Sequence, residues 1–187
     1  ELFHEVSVRV PLIIYDPRKE ADATRGTATN AFVEAIDLVP TFLGATGAPS
    51  ANHRLEGRSL EPLLHGQTVA DWRDAVFSEI DYAFYAARET LGVGVSDARG
   101  YMLRTERWKY VHFRHFPPQL FDLDNDPNEF NDLGRDPDHE ATRHSLHARL
   151  LDRLTARKNR VTMTDDTVHA MRGDEDSAGI IIGKWSA

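Results

Sequence analysis

The side chains best able to do chemistry in this sequence are its carboxylates and its nine histidines, and their spacing decides what they can do. Asp122-Leu123-Asp124-Asn125-Asp126 has the alternating oxygens of a calcium loop. An EF-hand loop also needs a glycine at its sixth place and a glutamate at its twelfth. Counted from Asp122, those places hold Pro127 and Leu133, so the stretch reads as a strand end followed by an Asp/Asn turn. His4-Glu5 opens the zinc motif H-E-x-x-H, but Val8 stands where the second histidine belongs. His112 and His115 fall at the end of an expected strand, where a spacing of three sends them to opposite faces. His139, His144 and His147 lie on an expected helix, where an exposed polar face accounts for them. Glu79 and Asp81 share one strand face, the usual setting of solvated or ion-paired carboxylates.

No G-x-S-x-G elbow, phosphate-binding loop or G-x-G-x-x-G is present, and Gly92-Val93-Gly94-Val95 is only G-x-G in an expected strand or bend. The members of a serine–histidine–acid triad need not be adjacent, so spacing alone leaves that class open. No residue is assigned a catalytic, cofactor-binding or metal-binding role.

The elements expected to carry these residues fall into three parts: 1–74, 75–159 and 160–187. In the first, Val8 to Tyr15, with Leu12, Ile13 and Ile14 in a row, reads as a strand buried on both faces. Thr29 to Ile36 reads as a second short strand. Asp37 is placed as the N-cap of a helix over 38–46, with Pro40 in its first turn and Gly47 just past its end. A helical turn is expected at Leu60 to Leu64.

The second part alternates as strands over 75–80, 100–105, 107–113 and 119–123, the middle two joined tightly at Glu106. Asp136-Pro137 then opens a long helix to about Asn159, with Leu146, Leu150, Leu151 and Leu154 on one face. The third part is a polar leash ending in the apolar cluster Ile180 to Ile182 and Trp185, expected to dock on the rest of the protein or on another subunit. The fold class is α/β, or α+β for this stretch alone: the edge of a larger sheet, then a small antiparallel sheet packed on a long C-terminal helix. The chain opens almost directly into a strand, so further sequence is expected upstream.

Composition narrows the function. A formal charge of −8, from 22 Lys and Arg against 30 Asp and Glu, argues against nucleic acid as a partner. The absence of cysteine excludes a disulfide framework, a thiolate zinc site and a cysteine nucleophile within these 187 residues. No apolar run reaches the roughly 20 residues of a membrane span, and the expected location is the cytoplasm.

Five segments, in order, resemble the C-terminal portion of sulfatases of the alkaline phosphatase superfamily. They are His4 to Ile14 running through Arg9-Val10-Pro11; Asp37-Leu38-Val39-Pro40-Thr41-Phe42; Gly57-Arg58-Ser59-Leu60 with Pro62-Leu63-Leu64; Arg104-Thr105 with Lys109-Tyr110; and Leu120-Phe121-Asp122-Leu123 with Asp126-Pro127, Glu129 and Asp132-Leu133. Leu91 to Asp97, Lys109 to Phe113 and Pro117-Pro118 are more similar to the phosphonate monoester hydrolase branch than to arylsulfatases.

The resemblance implies an alkaline-phosphatase-like fold and a parent hydrolase of phosphate, phosphonate or sulfate esters. It implies a divalent metal (Ca, Mn or Zn) and a formylglycine nucleophile, with the metal ligands and the catalytic lysine upstream of the opening strand. The expected partners are the parent's N-terminal catalytic domain, an anionic ester substrate and further copies of the chain in a homo-oligomer. This stretch alone is expected to be inactive. The rival readings are a stand-alone interaction module and a small metal-independent hydrolase. His112, Arg114 and His115 are placed as side chains reaching toward the parent's pocket.

Overall fold

The computed structural model describes residues 3–171. Its helices are α1 (Glu5–Val8), α2 (Leu38–Thr46), α3 (Glu61–Leu64), α4 (Ala86–Thr90), α5 (Glu140–Thr155) and α6 (Asp165–Ala170). Its strands are β1 (Ala75–Asp81), β2 (Arg99–Thr105), β3 (Trp108–Phe113) and β4 (Gln119–Asp122). The strands form one antiparallel meander in the order β1-β2-β3-β4. This is the mixed architecture expected of the second part of the chain.

Alternation gives the sheet two apolar faces. Leu103 pairs with Tyr110, which pairs with Leu120, and this row packs against Leu146 and Leu150 of α5. One residue along, Met102 pairs with Val111, and this second row carries Phe3 with Val8 and Ile80. A period of two makes this division unavoidable once the register is set. The β2–β3 hairpin closes over Glu106-Arg107, where Thr105 Oγ1 accepts from the Trp108 N–H at 3.0 Å. The Arg107 guanidinium lies 4.6 Å over the Trp108 ring and bonds both oxygens of Asp122, at 3.1 and 2.7 Å. Opposed like this, Asp122 is held down to about pH 2 by the Arg107 hydrogen bonds.

The expected cap forms, with the Asp136 carboxylate accepting from Asp138 N–H at 2.9 Å, but it opens a single 3-10 turn over Pro137–His139, and α5 follows only from Glu140. It ends at Thr155 rather than near Asn159. The Lys158 N–H turns away to the Glu56 carboxylate at 3.1 Å, and Lys158 Nζ donates to the Leu55 carbonyl at 2.7 Å. Those bonds take the chain off the helical path. Leu151, expected on the apolar face, is 53% exposed. Arginines fasten the other side of the helix to carboxylates: Arg149 to Asp74 at 2.7 Å, Arg153 to Glu56 at 3.1 Å, and just beyond it Arg157 to Glu79 at 3.0 Å.

The first part of the chain departs from expectation. Residues 9–15 form no strand, and no ladder occurs among described residues 3–74. A strand requires a neighbour to accept and donate across the ladder, and none of the described segments lies alongside. Thr29 to Ile36 is likewise irregular. Its backbone is engaged by side chains instead: the Phe32 carbonyl accepts from Trp72 Nε1 at 2.9 Å, and the Glu34 N–H donates to Asp37 at 2.8 Å. The cluster Ile180 to Trp185 lies outside the described residues.

Leu150 and Leu151 separate burial from mere apolarity. Leu150→Ala is expected to lose about 2–5 kcal/mol, because a buried leucine leaves a cavity, whereas Leu151→Ala stays within about 0.5 kcal/mol. Urea denaturation of the two variants followed by circular dichroism checks the ranking.

Candidate functional site

Two features bear on function: an open cavity along the N-terminal segment and a set of buried ions behind it. The cavity measures about 2150 Å³ and is lined by residues 7–16, residues 24–36 and side chains of β1 and β2. On its arm side Val10, Ile13 and Tyr15 are 73%, 93% and 74% exposed. Large apolar side chains so exposed and so close together are unusual on a free surface. On its other side stand Arg104, Arg73, Arg153 and Arg157 with their carboxylate partners.

Asp37 organises that charged side. Its side chain is fully buried, and its carboxylate takes the Arg73 guanidinium on both oxygens, with Nη2 at 2.7 Å from Oδ1. It also accepts from the Arg58 N–H and the Glu34 N–H, each at 2.8 Å. Asp37 precedes α2 as expected, but its side chain does not cap the helix. Thr41 does related work one turn on: its hydroxyl donates to the Asp37 carbonyl at 2.6 Å and accepts from the Leu60 N–H at 2.8 Å.

Two of the sequence segments singled out above, Asp37 to Phe42 and Gly57 to Leu60, are therefore hydrogen-bonded to each other. Gly57 permits the approach, since a methyl at that position would overlap the Ile36 carbonyl. Glu34 extends the network to the sheet, accepting from the Phe77 N–H of β1 at 2.7 Å and lying 3.7 Å from Arg153. Burial pushes the Asp37 carboxyl up, but Arg73 and the two amides outweigh it and hold the carboxyl below the ordinary carboxylate range.

On the opposite side of the sheet a second buried ion, Lys109, is fully enclosed. Its Nζ donates to the Phe3 carbonyl at 2.7 Å and meets Glu129 Oε1 at 2.6 Å and Glu5 Oε1 at 2.9 Å. The remaining oxygen of Glu129 accepts from the Glu5 N–H at 2.6 Å and lies 3.4 Å from His4 Nδ1. Glu129 adopts a φ of +58°, which residues with a side chain rarely take. Burial raises the Glu5 carboxyl, and Lys109 with Arg104 more than reverse this, leaving it lowered.

The chemically suggestive residues do not converge. His112 sits 5.2 Å, ring to ring, from His147, whose Nδ1 is 3.1 Å from the Tyr110 hydroxyl. Burial, followed by the His147 charge, pulls His112 below its ordinary value. His147 is thus not simply part of a polar face. Arg114 and His115 both address Asp97, at 2.7 and 3.4 Å. None of His112, Arg114 and His115 lines this cavity. Glu79 and Asp81 are ion-paired to Arg157 and Arg99.

Among the described residues no three His, Cys, Asp or Glu side chains converge as metal ligands. Among the described residues no helix is long and apolar enough to cross a membrane. Reasoning from sequence missed Asp37, Arg73 and Glu129 as buried ions. The one available signal was Lys109 itself, a lysine in register with the inward-facing Val111 and Phe113.

Asp37 gives a prediction in pH. A carboxyl lowered on folding stabilises the protein above the unfolded value near 4, and that stability is lost as pH falls through the lower folded value. The melting temperature of the chain is expected to drop below about pH 4. Asp37→Asn leaves Arg73 buried without its counter-ion, at a cost of roughly 3–5 kcal/mol at neutral pH, and flattens the acid limb. Calorimetry from pH 2 to 7 (about the span of carboxylate titration) reads both effects.

The family model described as N-sulphoglucosamine sulphohydrolase, C-terminal, matches residues 1–156. The multifunctional alkaline phosphatase superfamily protein PehA of Trinickia caryophylli is 34% identical over 142 residues, covering 74% of this chain and 27% of PehA. Arylsulfatase K of Gallus gallus is 34% identical over 135 residues, covering 70% of this chain and 23% of that protein. The crystal structure of phosphonate monoester hydrolase of Agrobacterium radiobacter superposes with a TM-score of 0.65 at 34% identity, over 70% of this chain and 26% of the other. Phosphonate monoester hydrolase SpPMH of Silicibacter pomeroyi gives 0.67 at 32% identity, over 76% and 29%. The chain spans 23–27% of the length of these two curated relatives. With the model matched over residues 1–156 and the five motifs in order, the chain belongs to the N-sulphoglucosamine sulphohydrolase C-terminal family and is a C-terminal portion of a sulfatase-family protein.

Proposed function

We infer that this chain is the C-terminal part of a metal-dependent hydrolase that cleaves phosphonate, phosphate or sulfate esters, and that the reacting groups lie in the polypeptide upstream. The observation that carries the reading is the arm: Val10, Ile13 and Tyr15 stand exposed beside a cavity of about 2150 Å³, without a ladder partner among the described residues. A catalytic domain whose sheet accepts residues 8–15 as an edge strand covers those side chains and supplies the missing ladder. On this reading residues 1–74 complete the catalytic domain, and residues 75–159 form the sheet-and-helix subdomain behind it.

The residues here orient rather than react. Asp37 and Arg73 hold the cavity wall in one arrangement, and the anionic ester is met elsewhere in the parent. A cytoplasmic, homo-oligomeric parent is part of the same reading; the exposed side chains of Phe84, Tyr85 and Leu91 on the β1–β2 connection support the oligomer.

The test is hydrolysis of 4-nitrophenyl sulfate and of a 4-nitrophenyl phosphonate ester, measured with this chain alone and with the full-length protein after metal loading. The full-length protein is expected to hydrolyse at least one, and the chain alone neither. Turnover by the chain alone, lost on dilution-matched heat denaturation, would sink the reading.

A further inference from the structure

The ion cluster around Lys109 does something that apolar packing cannot. It grips main-chain atoms at two points of one short segment: the Phe3 carbonyl receives Lys109 Nζ at 2.7 Å, and the Glu5 N–H donates to Glu129 Oε2 at 2.6 Å. Lys109 in turn bridges Glu129 and the Glu5 side chain, at 2.6 and 2.9 Å. The network therefore joins the N-terminal segment, the middle of β3 and the turn after β4.

A buried ionic cluster is not needed for stability as such, since a well-packed apolar set of the same volume is often as stable. What directional bonds to backbone atoms add is register: a slip of one residue in the segment would break both main-chain bonds and leave buried charges unpaired. Glu129 is held in the left-handed region to complete this arrangement. Only local strain offset by the surrounding contacts keeps a glutamate there, which marks the position as built for its contacts.

We propose that Lys109 and Glu129 are positioning residues, which lock the register in which the polypeptide upstream of Phe3 leaves the C-terminal sheet. This rests on the reading that the reacting groups lie in that upstream polypeptide. A register error at Phe3 is transmitted along a covalent chain, and displacements of an ångström at reacting groups are enough to slow chemistry greatly. Lys109→Met retains the length and apolar stem of the side chain and removes only the charge and its donors. Glu129→Gln retains the shape and weakens the other end of the lock.

The experiment uses the full-length protein and two readouts. Amide hydrogen exchange reports the lock directly: in Lys109→Met the Glu5 amide is expected to exchange about tenfold faster or more, with the β2 and β3 amides still protected. Steady-state kinetics on the better of the two nitrophenyl esters reports the consequence: kcat falls about tenfold or more, KM stays within about twofold, and the pH profile keeps its shape. Glu129→Gln is expected to shift both readouts in the same direction and less far.

Faster exchange spread evenly over β2, β3 and α5 would show a merely structural role and overturn the proposal. So would a local rise at Glu5 with kcat unchanged. Unaltered exchange at Glu5 would overturn the lock itself. A wild-type protein that cleaves neither ester is a failure of the proposed function, and the exchange measurement still decides whether the lock exists.

Discussion

Everything in residues 30–80 hangs on one buried carboxylate. Asp37 has been taken wholly out of water, a transfer that costs several kcal/mol unless the charge is matched and its lone pairs are filled. Arg73 matches it, and the amides of Glu34 and Arg58 fill it. Those four groups come from three places in the chain, so the requirement of one ion dictates how the start of α2, the loop after Gly57 and the run into β1 must meet. Lys109 imposes a similar demand on the far side of the sheet, where it gathers Phe3, Glu5 and Glu129. The sheet between them is built on an ordinary apolar pattern. The ions decide what is attached to it and where.

Where the sequence was legible, a local rule sufficed. The four strands follow from alternation, α2 from Pro40 and Gly47, and the 3-10 turn that leads into α5 from Asp136-Pro137. The failures share a cause: they depend on atoms far away in sequence. Leu12, Ile13 and Ile14 have the composition of a buried strand, yet a ladder belongs to two segments, and none pairs with them among the described residues. Asp37 has the type and place of an N-cap, but Arg73, 36 residues on, takes its carboxylate. His147 was assigned to a polar face because helical spacing is blind to the Tyr110 hydroxyl across the sheet–helix gap.

The recurring motifs gain a physical meaning from the contacts. Asp37 to Phe42 and Gly57 to Leu60 look like two unrelated signatures in sequence. In the structure they are two halves of one joint, closed by the Arg58 and Leu60 amides. Lys109 and Glu129 likewise belong to different motifs and to one ion cluster. A signature of this kind records a meeting point in the fold and not a reactive group.

α5 is held in two unlike ways, and this has a consequence for how the molecule responds to its solvent. Toward the sheet it presents Leu146 and Leu150, whose contact strengthens as salting-out ions are excluded from apolar surface. Toward the residues before β1 it presents Arg149 and Arg153, on the carboxylates of Asp74 and Glu56, and such pairs fade once the screening length shrinks to a few ångströms. Rising ionic strength therefore pulls on the two attachments in opposite senses. The helix and sheet tighten into a unit, while the tether to the polypeptide preceding them slackens. In brine the buried Asp37–Arg73–Glu34 network, which salt screens little, is left to hold residues 34–73 to β1.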